Sequence, residues 1–300
     1  MKIINGLKIS EEILEKLKTK IQINRFHPRL DIIQIGDNYA SRVYIKNKKE
    51  KGEAIGVDVV LHEYDSISEN KLIELIYNLN SDDAVNGIIL QIPIPKEIDL
   101  RNILKVIDPE KDVDGLNPLN LGLVWQGQEE TFVAATPLAV LECLKYIAIY
   151  NDTKFTSEEL LARQVDQKLR NFLTGSKVTI INDSNIVGKP LSGLLLRYNA
   201  TVTIAHKFTQ DLESLTLNSD IIVSGTGIPK FIKPKMIPNN IILIDVGINE
   251  TANGLSGDID YKEIESKINW ITPVPGGVGP LTVAMLLSNV VKAYERKMLR

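Results

Sequence analysis

Residues 272–282 have the sequence TPVPGGVGPLT, and this stretch decides how the rest of the chain is divided. Proline lacks a backbone donor and glycine lacks backbone restraint, so the stretch is predicted to be neither a strand nor a helix interior. It follows an apolar run ending at Ile271 and precedes a helical pattern from Leu281 to about Lys297. Such a backbone suits close contact with a ligand, although an ordinary hinge between domains has the same composition.

Before residue 125, short apolar runs alternate with helical repeats. Strands are predicted at 30–35, 57–61 and 87–92. Helices are predicted at 10–22, at 41–55 and after the N-cap residues Ser68 and Asp99. This alternation predicts a parallel sheet with helices on both faces.

The second half resumes the same rhythm after a polar segment. Its predicted elements are a helix opened by Thr136 and Pro137, an amphipathic helix at about 156–173, strands at 177–182, 201–205, 220–224 and 241–246, and a helix from Gly188 to Tyr198. This pattern is Rossmann-like. The fold class is therefore α/β, with two domains and a cleft between them. One domain is predicted to comprise 1–125 plus 281–300, and the other 126–280.

Composition limits the classes of function. The 300 residues carry a net charge of −3 with both signs interspersed, so no nucleic-acid or membrane partner is indicated. The single cysteine, Cys143, excludes intrachain disulfides and a cysteine-based metal site, and it is predicted to be buried in a helix. We expect a cytoplasmic protein.

Two residues four apart, Tyr44 and Lys48, project from one face of the predicted 41–55 helix. They could form an aromatic platform beside an ammonium that transfers a proton. The alternative is that Lys48 belongs with Lys46, Lys49 and Lys51 to a lysine-rich face in solvent.

Polar residues also follow the predicted strands. Gln91 stands at the carboxyl end of a strand, where open α/β sheets bind ligands, although it could equally cap a loop. Asp114, in the sequence KDVDG at 111–115, could accept hydrogen bonds from a heterocycle edge or could serve ordinary turn chemistry.

The predicted nucleotide loop, 182–190, has the sequence NDSNIVGKP. Of a dinucleotide fingerprint it keeps only Gly188, which opens the following helix, so the strand–loop–helix context supports a nucleotide site more than the motif does. His206 and Lys207, at the end of the next strand, could meet an adenosine ribose or its 2′-phosphate.

Taken together, these stretches resemble the bifunctional methylenetetrahydrofolate dehydrogenase/methenyltetrahydrofolate cyclohydrolase family, known as FolD. The matching stretches are 36–48, 87–95, 111–115, 184–190, 245–249 and 272–282. The similarity covers nearly the whole chain, and the stretches occur in the family's order.

The resemblance implies a folate-binding catalytic first domain and a dinucleotide-binding second domain. It implies these roles: Lys48 as the central catalytic lysine, Tyr44 stacked on the folate, Gln91 orienting Lys48, Asp114 gripping the pterin, Ser41 supporting the pocket, and Gly276 and Gly277 lining the cleft. The implied dinucleotide-binding positions are Asn182, Asp183, Ser184, Gly188, Lys207 and Ile248. It further implies a homodimer that needs no metal.

The implied chemistry is hydride transfer from 5,10-methylenetetrahydrofolate to NADP, followed by hydrolysis of the methenyl cation to 10-formyltetrahydrofolate. Asn182 stands where the family usually has glycine, and we expect it to tolerate a left-handed backbone while crowding a pyrophosphate. Asp183 would repel a 2′-phosphate that Lys207 could attract, so NAD is an alternative cofactor. Two other functions stay open: a cyclohydrolase with weakened or lost dehydrogenase activity, and a folate-binding pseudoenzyme.

Overall fold

The chain forms two compact units in a computed structural model that describes residues 1–150, 162–251 and 254–299. Unit A comprises Ser10–Ala135 and Val283–Arg300. Unit B comprises Met1–Ile9 and Thr136–Thr282. Each unit is built from strands and helices that alternate along the chain, as the α/β prediction requires.

The elements are numbered in chain order. The strands are β1 (Lys2–Ile3), β2 (Arg29–Ile35), β3 (Asp58–Tyr64), β4 (Gly87–Leu90), β5 (Lys177–Ile181), β6 (Thr201–Ala205), β7 (Ile221–Ser224), β8 (Ile241–Asp245), β9 (Asn249–Thr251), β10 (Gly254–Ser256) and β11 (Ile268–Ile271). The helices are α1 (Gly6–Asn24), α2 (Tyr39–Ile55), α3 (Glu69–Ser81), α4 (Leu100–Val106), α5 (Pro118–Trp125), α6 (Ala135–Tyr150), α7 (Ala162–Leu173), α8 (Gly188–Leu196), α9 (Leu212–Leu217), α10 (Tyr261–Ile264) and α11 (Val278–Met298).

Unit A is organised around a parallel sheet whose described strands run in the order β3-β2-β4. On one face, Ile33 and Leu90 join a core with Leu72 and Ile76 of α3 and with Ile103 of α4. The predicted caps of these two helices are confirmed, since Ser68 and Asp99 accept hydrogen bonds from first-turn amides. On the opposite face, Gly52 of α2 packs closely against Val59 of β3.

Unit B contains a larger parallel sheet whose described strands run in the order β1-β11-β8-β7-β5-β6. Strand β5 pairs with β6 on one side and with β7 on the other, so the strand order reverses direction at β5. A doubly wound sheet binds its ligand at such a point, beyond the carboxyl ends of the strands. The Rossmann-like prediction is confirmed by this topology.

The structure differs from the sequence prediction at several helix starts. Helix α6 begins at Ala135, so Thr136 lies inside the helix and is not its N-cap. Helix α11 begins at Val278 rather than Leu281, because Pro280 fits in a first turn, where no intrahelical donor is needed. The predicted helix at 156–173 corresponds to α7 from Ala162, and its earlier part lies outside the described residues.

The first nine residues are also placed differently. They were expected with the first domain, but they belong to unit B because Lys2 and Ile3 pair in parallel with Trp270 and Ile271. A two-residue strand is too short to show periodicity in the sequence. None of the described helices is both long and apolar enough to span a bilayer.

Candidate active site

Helix α2 carries the first group of candidate residues in unit A. Its start is fixed by Asn38, whose side chain accepts a hydrogen bond from the Ser41 amide at 3.0 Å. Its end is fixed by Gly56, which has the left-handed backbone of a C-cap with φ of 94°. Ser41 is buried, Tyr44 is exposed and Lys48 is half-buried, so the helix turns these side chains toward different surroundings.

The contact that organises this group joins Lys48 to Gln91. Lys48 Nζ donates to Gln91 Oε1 at 2.9 Å, and Gln91 Nε2 donates to the carbonyl of Ile92 at 2.9 Å. Gln91 is placed at the carboxyl edge of the sheet because its backbone amide donates to the Ile33 carbonyl of β2. Since both the oxygen and the nitrogen of its side-chain amide are hydrogen-bonded, the side chain has a fixed orientation.

Burial lowers the pKa of Lys48 from its usual value, and the nearby Asp114 opposes that change. Burial raises the pKa of Asp114, opposed in turn by Lys48. Desolvation disfavours the charged form of each group, and their opposite charges oppose this effect. Lys48 and Asp114 therefore interact electrostatically at the carboxyl edge of unit A.

The lysine-rich face is a separate part of the same helix. Lys46 and Lys49 are exposed on the outside of α2, and each forms an ion pair with the glutamate four residues later. Lys46 Nζ lies 3.7 Å from Glu50 Oε1, and Lys49 Nζ lies 3.8 Å from Glu53 Oε1. Lys48 instead turns inward to Gln91. The two interpretations of the lysine run thus apply to different residues.

The turn that carries Asp114 is held by its neighbours. Asp112 is buried, and its carboxylate accepts from the amides of Leu116 and Asn117 at 3.1 and 2.8 Å and from Asn120 Nδ2 at 2.8 Å. Gly115 has φ of 66°, and a Cβ there would lie 2.5 Å from the backbone nitrogen of Ala134. Turn chemistry therefore accounts for Asp112 and Gly115, which leaves Asp114 as the carboxylate near Lys48.

In unit B, Asn182 organises the loop after β5. Its Oδ1 accepts from the Ser184 amide at 2.9 Å, the Ser184 hydroxyl at 2.7 Å and the Gly188 amide at 3.1 Å. Its Nδ2 donates to the carbonyl of Gly225, which follows β7, at 2.7 Å. Asn182 does not have a positive φ, so the left-handed backbone that asparagine tolerates is not used here. Its side chain closes the loop from within, and the crowding of a pyrophosphate stays a prediction.

Exposed apolar side chains occur on each of four loops at the carboxyl edge of unit B, and the sequence analysis identified only one of them. They are Ile186 after β5, Phe208 after β6, Ile228 after β7 and Ile248 after β8. Large apolar residues in solvent beside a strand-order reversal suit the flat rings of a dinucleotide. The signal in the sequence is a large apolar residue a few positions beyond each strand.

The polar groups at this edge also suit a dinucleotide. Asp183 and Lys207 are both exposed, and each stands two residues beyond the paired positions Ile181 and Ala205. They can therefore meet a ribose or a 2′-phosphate with opposite charges. Helix α8 begins at Gly188, where a Cβ would lie 1.7 Å from the Asn182 carbonyl oxygen, so the tight loop requires glycine.

The stretch at 272–282 is closely packed within unit B. The Gly276 carbonyl accepts from the Leu7 amide at 3.1 Å, and Gly276 has φ of 100°. A Cβ at Gly277 would lie 2.5 Å from the Pro273 carbonyl oxygen. Gly277 is thus required by close backbone approach and Gly276 by its left-handed backbone.

The remaining candidates are metal-binding groups and the single cysteine. Among the described residues, no group of three or more His, Cys, Asp or Glu side chains is placed to hold a metal ion. Cys143 is buried, as predicted, and burial raises the pKa of its thiol. Its environment is that of a packing residue.

Comparison with known proteins places both units in one family. Residues 4–114 match the model described as "Tetrahydrofolate dehydrogenase/cyclohydrolase, catalytic domain", and residues 160–298 match the model of the family's NAD(P)-binding domain. The bifunctional protein FolD of Sulfurovum sp. is 40% identical over 303 residues, covering 99% of this chain and 100% of the relative. That of Listeria innocua is 38% identical over 98% of this chain and 97% of the relative.

Solved structures of proteins with the same description are also similar to this chain. The bifunctional enzyme FolD of Campylobacter jejuni is 37% identical, with a TM-score of 0.89 over 99% of each chain. The Trypanosoma brucei methylenetetrahydrofolate dehydrogenase-cyclohydrolase, solved with NADP and an inhibitor, is 28% identical, with a TM-score of 0.86 over 99% of this chain and 98% of that one. With two family models covering both units, this chain belongs to the tetrahydrofolate dehydrogenase/cyclohydrolase family.

Proposed function

We propose that this chain oxidises 5,10-methylenetetrahydrofolate to 5,10-methenyltetrahydrofolate with NADP and then hydrolyses the product to 10-formyltetrahydrofolate. The observation that carries the proposal is the 2.9 Å contact of Lys48 Nζ with Gln91 Oε1, near Asp114. Desolvation lowers the pKa of this half-buried lysine, so a larger fraction of it is the neutral amine that can accept a proton.

In the hydrolysis, water adds to the methenyl carbon and loses one proton, which leaves a hydroxyl group on that carbon. The bond from this carbon to one bridge nitrogen then breaks as the hydroxyl becomes the formyl C=O, and the hydroxyl proton passes to the departing nitrogen. Lys48, as a neutral amine, takes the proton from the attacking water. Gln91 keeps the amine oriented, and Asp114 holds the pterin edge while offsetting positive charge at Lys48. Tyr44, exposed on the same helix, offers a ring face to the folate, and the buried Ser41 supports that surface.

In the oxidation, NADP supplies the hydride acceptor when it is bound. Asn182, Ser184 and Gly188 would shape the loop that receives its pyrophosphate, and Ile248 would pack against a ring. Gly276 and Gly277 would allow close approach of the main chain. Lys207 would attract the 2′-phosphate, while Asp183 favours NAD, so NAD remains the alternative cofactor.

The two rival functions are not favoured. A weakened dehydrogenase was suggested by Asn182, but its amide is directed into the loop by four hydrogen bonds. A folate-binding pseudoenzyme would not need the contact between Lys48 and Gln91. We further propose that the protein is cytoplasmic and that it acts as a homodimer. Light scattering of the purified protein would test whether it is a dimer.

Replacing Lys48 by Met tests the assignment, with Lys49→Met as the matched control on the exposed face of α2. We expect Lys48→Met to lower methenyltetrahydrofolate hydrolysis by about 10²- to 10⁴-fold, the range for loss of a general base. Folate binding, measured by calorimetry, should largely persist. Lys49→Met should retain wild-type hydrolysis, and unchanged hydrolysis in Lys48→Met would overturn the proposal.

A further inference from the structure

Asp258 lies in unit B two residues after the end of β10, and its side chain is fully buried. Its Oδ2 accepts from the Ser224 hydroxyl at 2.8 Å, the Thr226 amide at 2.6 Å and the Thr226 hydroxyl at 2.9 Å. Its Oδ1 accepts from Asn249 Nδ2 at 3.2 Å. One carboxyl group therefore binds the end of β7, the loop after β7 and the first residue of β9.

A second buried carboxyl group locks the segment that carries Asp258. Asp245, at the end of β8, accepts from the amides of Gly247, Asp258 and Ile259 at 3.0, 3.1 and 3.1 Å. A Cβ at Gly247 would lie 2.0 Å from Asp258 Oδ1, and a Cβ at Gly257 would lie 2.0 Å from Asp245 Oδ2. These glycines are needed because the two carboxyl groups occupy the space beside them.

The residues that Asp258 holds belong to the carboxyl edge of the unit B sheet. Thr226 adjoins Gly225, whose carbonyl accepts from Asn182 on the other side. Asn249 follows directly on Ile248, the exposed side chain of the loop after β8. Asp258 and Asn182 thus hold the β7 loop from both sides, and Asp258 also anchors the neighbour of Ile248.

We propose that Asp258 is a positioning residue of the dehydrogenase half-reaction, setting the dinucleotide-facing loops after β7 and β8 without touching the dinucleotide. The inference rests on the proposed function. A buried carboxyl group adds little net stability over apolar packing, whereas it fixes geometry through several directed bonds. Lys48, Gln91 and Asp114, to which the proposed hydrolysis is assigned, belong to unit A, so we expect the hydrolysis not to depend on these loops.

The experiment compares Asp258→Ala with Asp220→Ala as the matched control. Asp220 also accepts a backbone amide, that of Lys177 at 2.8 Å, but at the amino end of β7. The readouts are the Kd for NADP by calorimetry without folate, the KM for NADP, the rate of methenyltetrahydrofolate hydrolysis and the melting temperature. Asp258→Asn tests rescue, because its amide oxygen can still accept from Thr226.

We expect Asp258→Ala to raise the Kd and KM for NADP roughly ten- to hundredfold, the cost of displaced supporting groups. Hydrolysis should stay within about twofold of wild type, and Asp258→Asn should recover part of the affinity. Asp220→Ala should lower the melting temperature without changing the Kd. An unchanged Kd in Asp258→Ala, or a parallel loss of hydrolysis, would overturn the inference.

If Asp258→Ala does not fold, Ser224→Ala replaces it, because this change removes one donor to Asp258 and leaves the loop after β7 unaltered. A Kd for NADP raised about threefold or more supports the inference, and an unchanged Kd overturns it. A wild-type enzyme that binds and reduces neither NADP nor NAD would instead refute the proposed oxidation, and the inference with it. If the wild type turns over with NADP and the variants keep the wild-type Kd for NADP, only the inference is refuted.

Discussion

Lys48 Nζ lies 2.9 Å from Gln91 Oε1, although the two residues are 43 positions apart in the chain. Gln91 directly follows β4, and its backbone amide donates to the Ile33 carbonyl of β2 at 2.9 Å, which fixes its place at the sheet edge. A neutral amide acceptor orients the lysine without stabilising its charged form as a carboxylate would. The identity of residue 91 should therefore set the pH at which Lys48 can act.

Replacing Gln91 by Glu should shift the acid limb of the hydrolysis rate to higher pH. A carboxylate beside Lys48 favours the ammonium, so a larger fraction of the enzyme lacks the neutral amine at a given pH. The measurement is the pH–rate profile for methenyltetrahydrofolate hydrolysis in wild type, Gln91→Glu and Gln91→Ala. Gln91→Ala should instead lose roughly ten- to hundredfold in rate, because the amine is no longer oriented. Identical profiles for wild type and Gln91→Glu would contradict the orienting role.

Lys111 closes the carboxyl end of α3. Its Nζ donates to the carbonyls of Leu79, Asn80 and Asp82 at 2.9, 2.7 and 2.7 Å. An ammonium at a helix carboxyl end satisfies orphan carbonyls and complements the helix dipole. Lys111→Met should lower the free energy of unfolding by about 2 kcal/mol in urea titrations. Lys105→Met, at an exposed position on α4, should change it by less than about 0.5 kcal/mol.

The sequence was sufficient where local chemistry decides the structure. Ser68 and Asp99 were predicted as N-caps from the helical patterns that follow them, and both accept first-turn amides. The strand–helix alternation predicted two parallel sheets because it constrains the connections between strands. The four-residue spacing also predicted that Tyr44 and Lys48 share a helix.

Contacts between distant segments were not predictable in the same way. The pairing of β1 with β11 joins residues at opposite ends of the chain, and two residues give no periodic signal. The inward turn of Asn182 depends on the Gly225 carbonyl after β7, which a single loop sequence does not contain. Asp258 went unnoticed because its partners are spread over three segments.

Asp112 should make unit A less stable as the pH rises toward neutrality. Burial raises its pKa to about 7, against the opposing hydrogen bonds from Asn120, Asn117 and Leu116. The folded state then binds a proton that the unfolded chain has already released, between pH about 4 and pH 7. Its contribution to the free energy of unfolding is therefore full below this window and falls as the pH rises through it. In urea titrations, the free energy of unfolding should decline less across that window for Asp112→Asn than for the wild type. The exposed Asp65→Asn should show the same dependence on pH as the wild type.

Asp183 and Lys207 should set the preference between NADP and NAD in opposite directions. Both are exposed and follow paired positions of β5 and β6, so a 2′-phosphate at this edge would meet one negative and one positive side chain. A unit charge at close range in water is worth about 1 kcal/mol, or about fivefold in an equilibrium constant. Asp183→Ser should raise the ratio of kcat/KM for NADP to that for NAD by about this factor, and Lys207→Ser should lower it similarly. Both effects should shrink as ionic strength rises, because salt screens exposed charges. The exposed Lys233→Ser is the control, and a ratio that Asp183→Ser and Lys207→Ser leave unchanged would place the 2′-phosphate away from both residues.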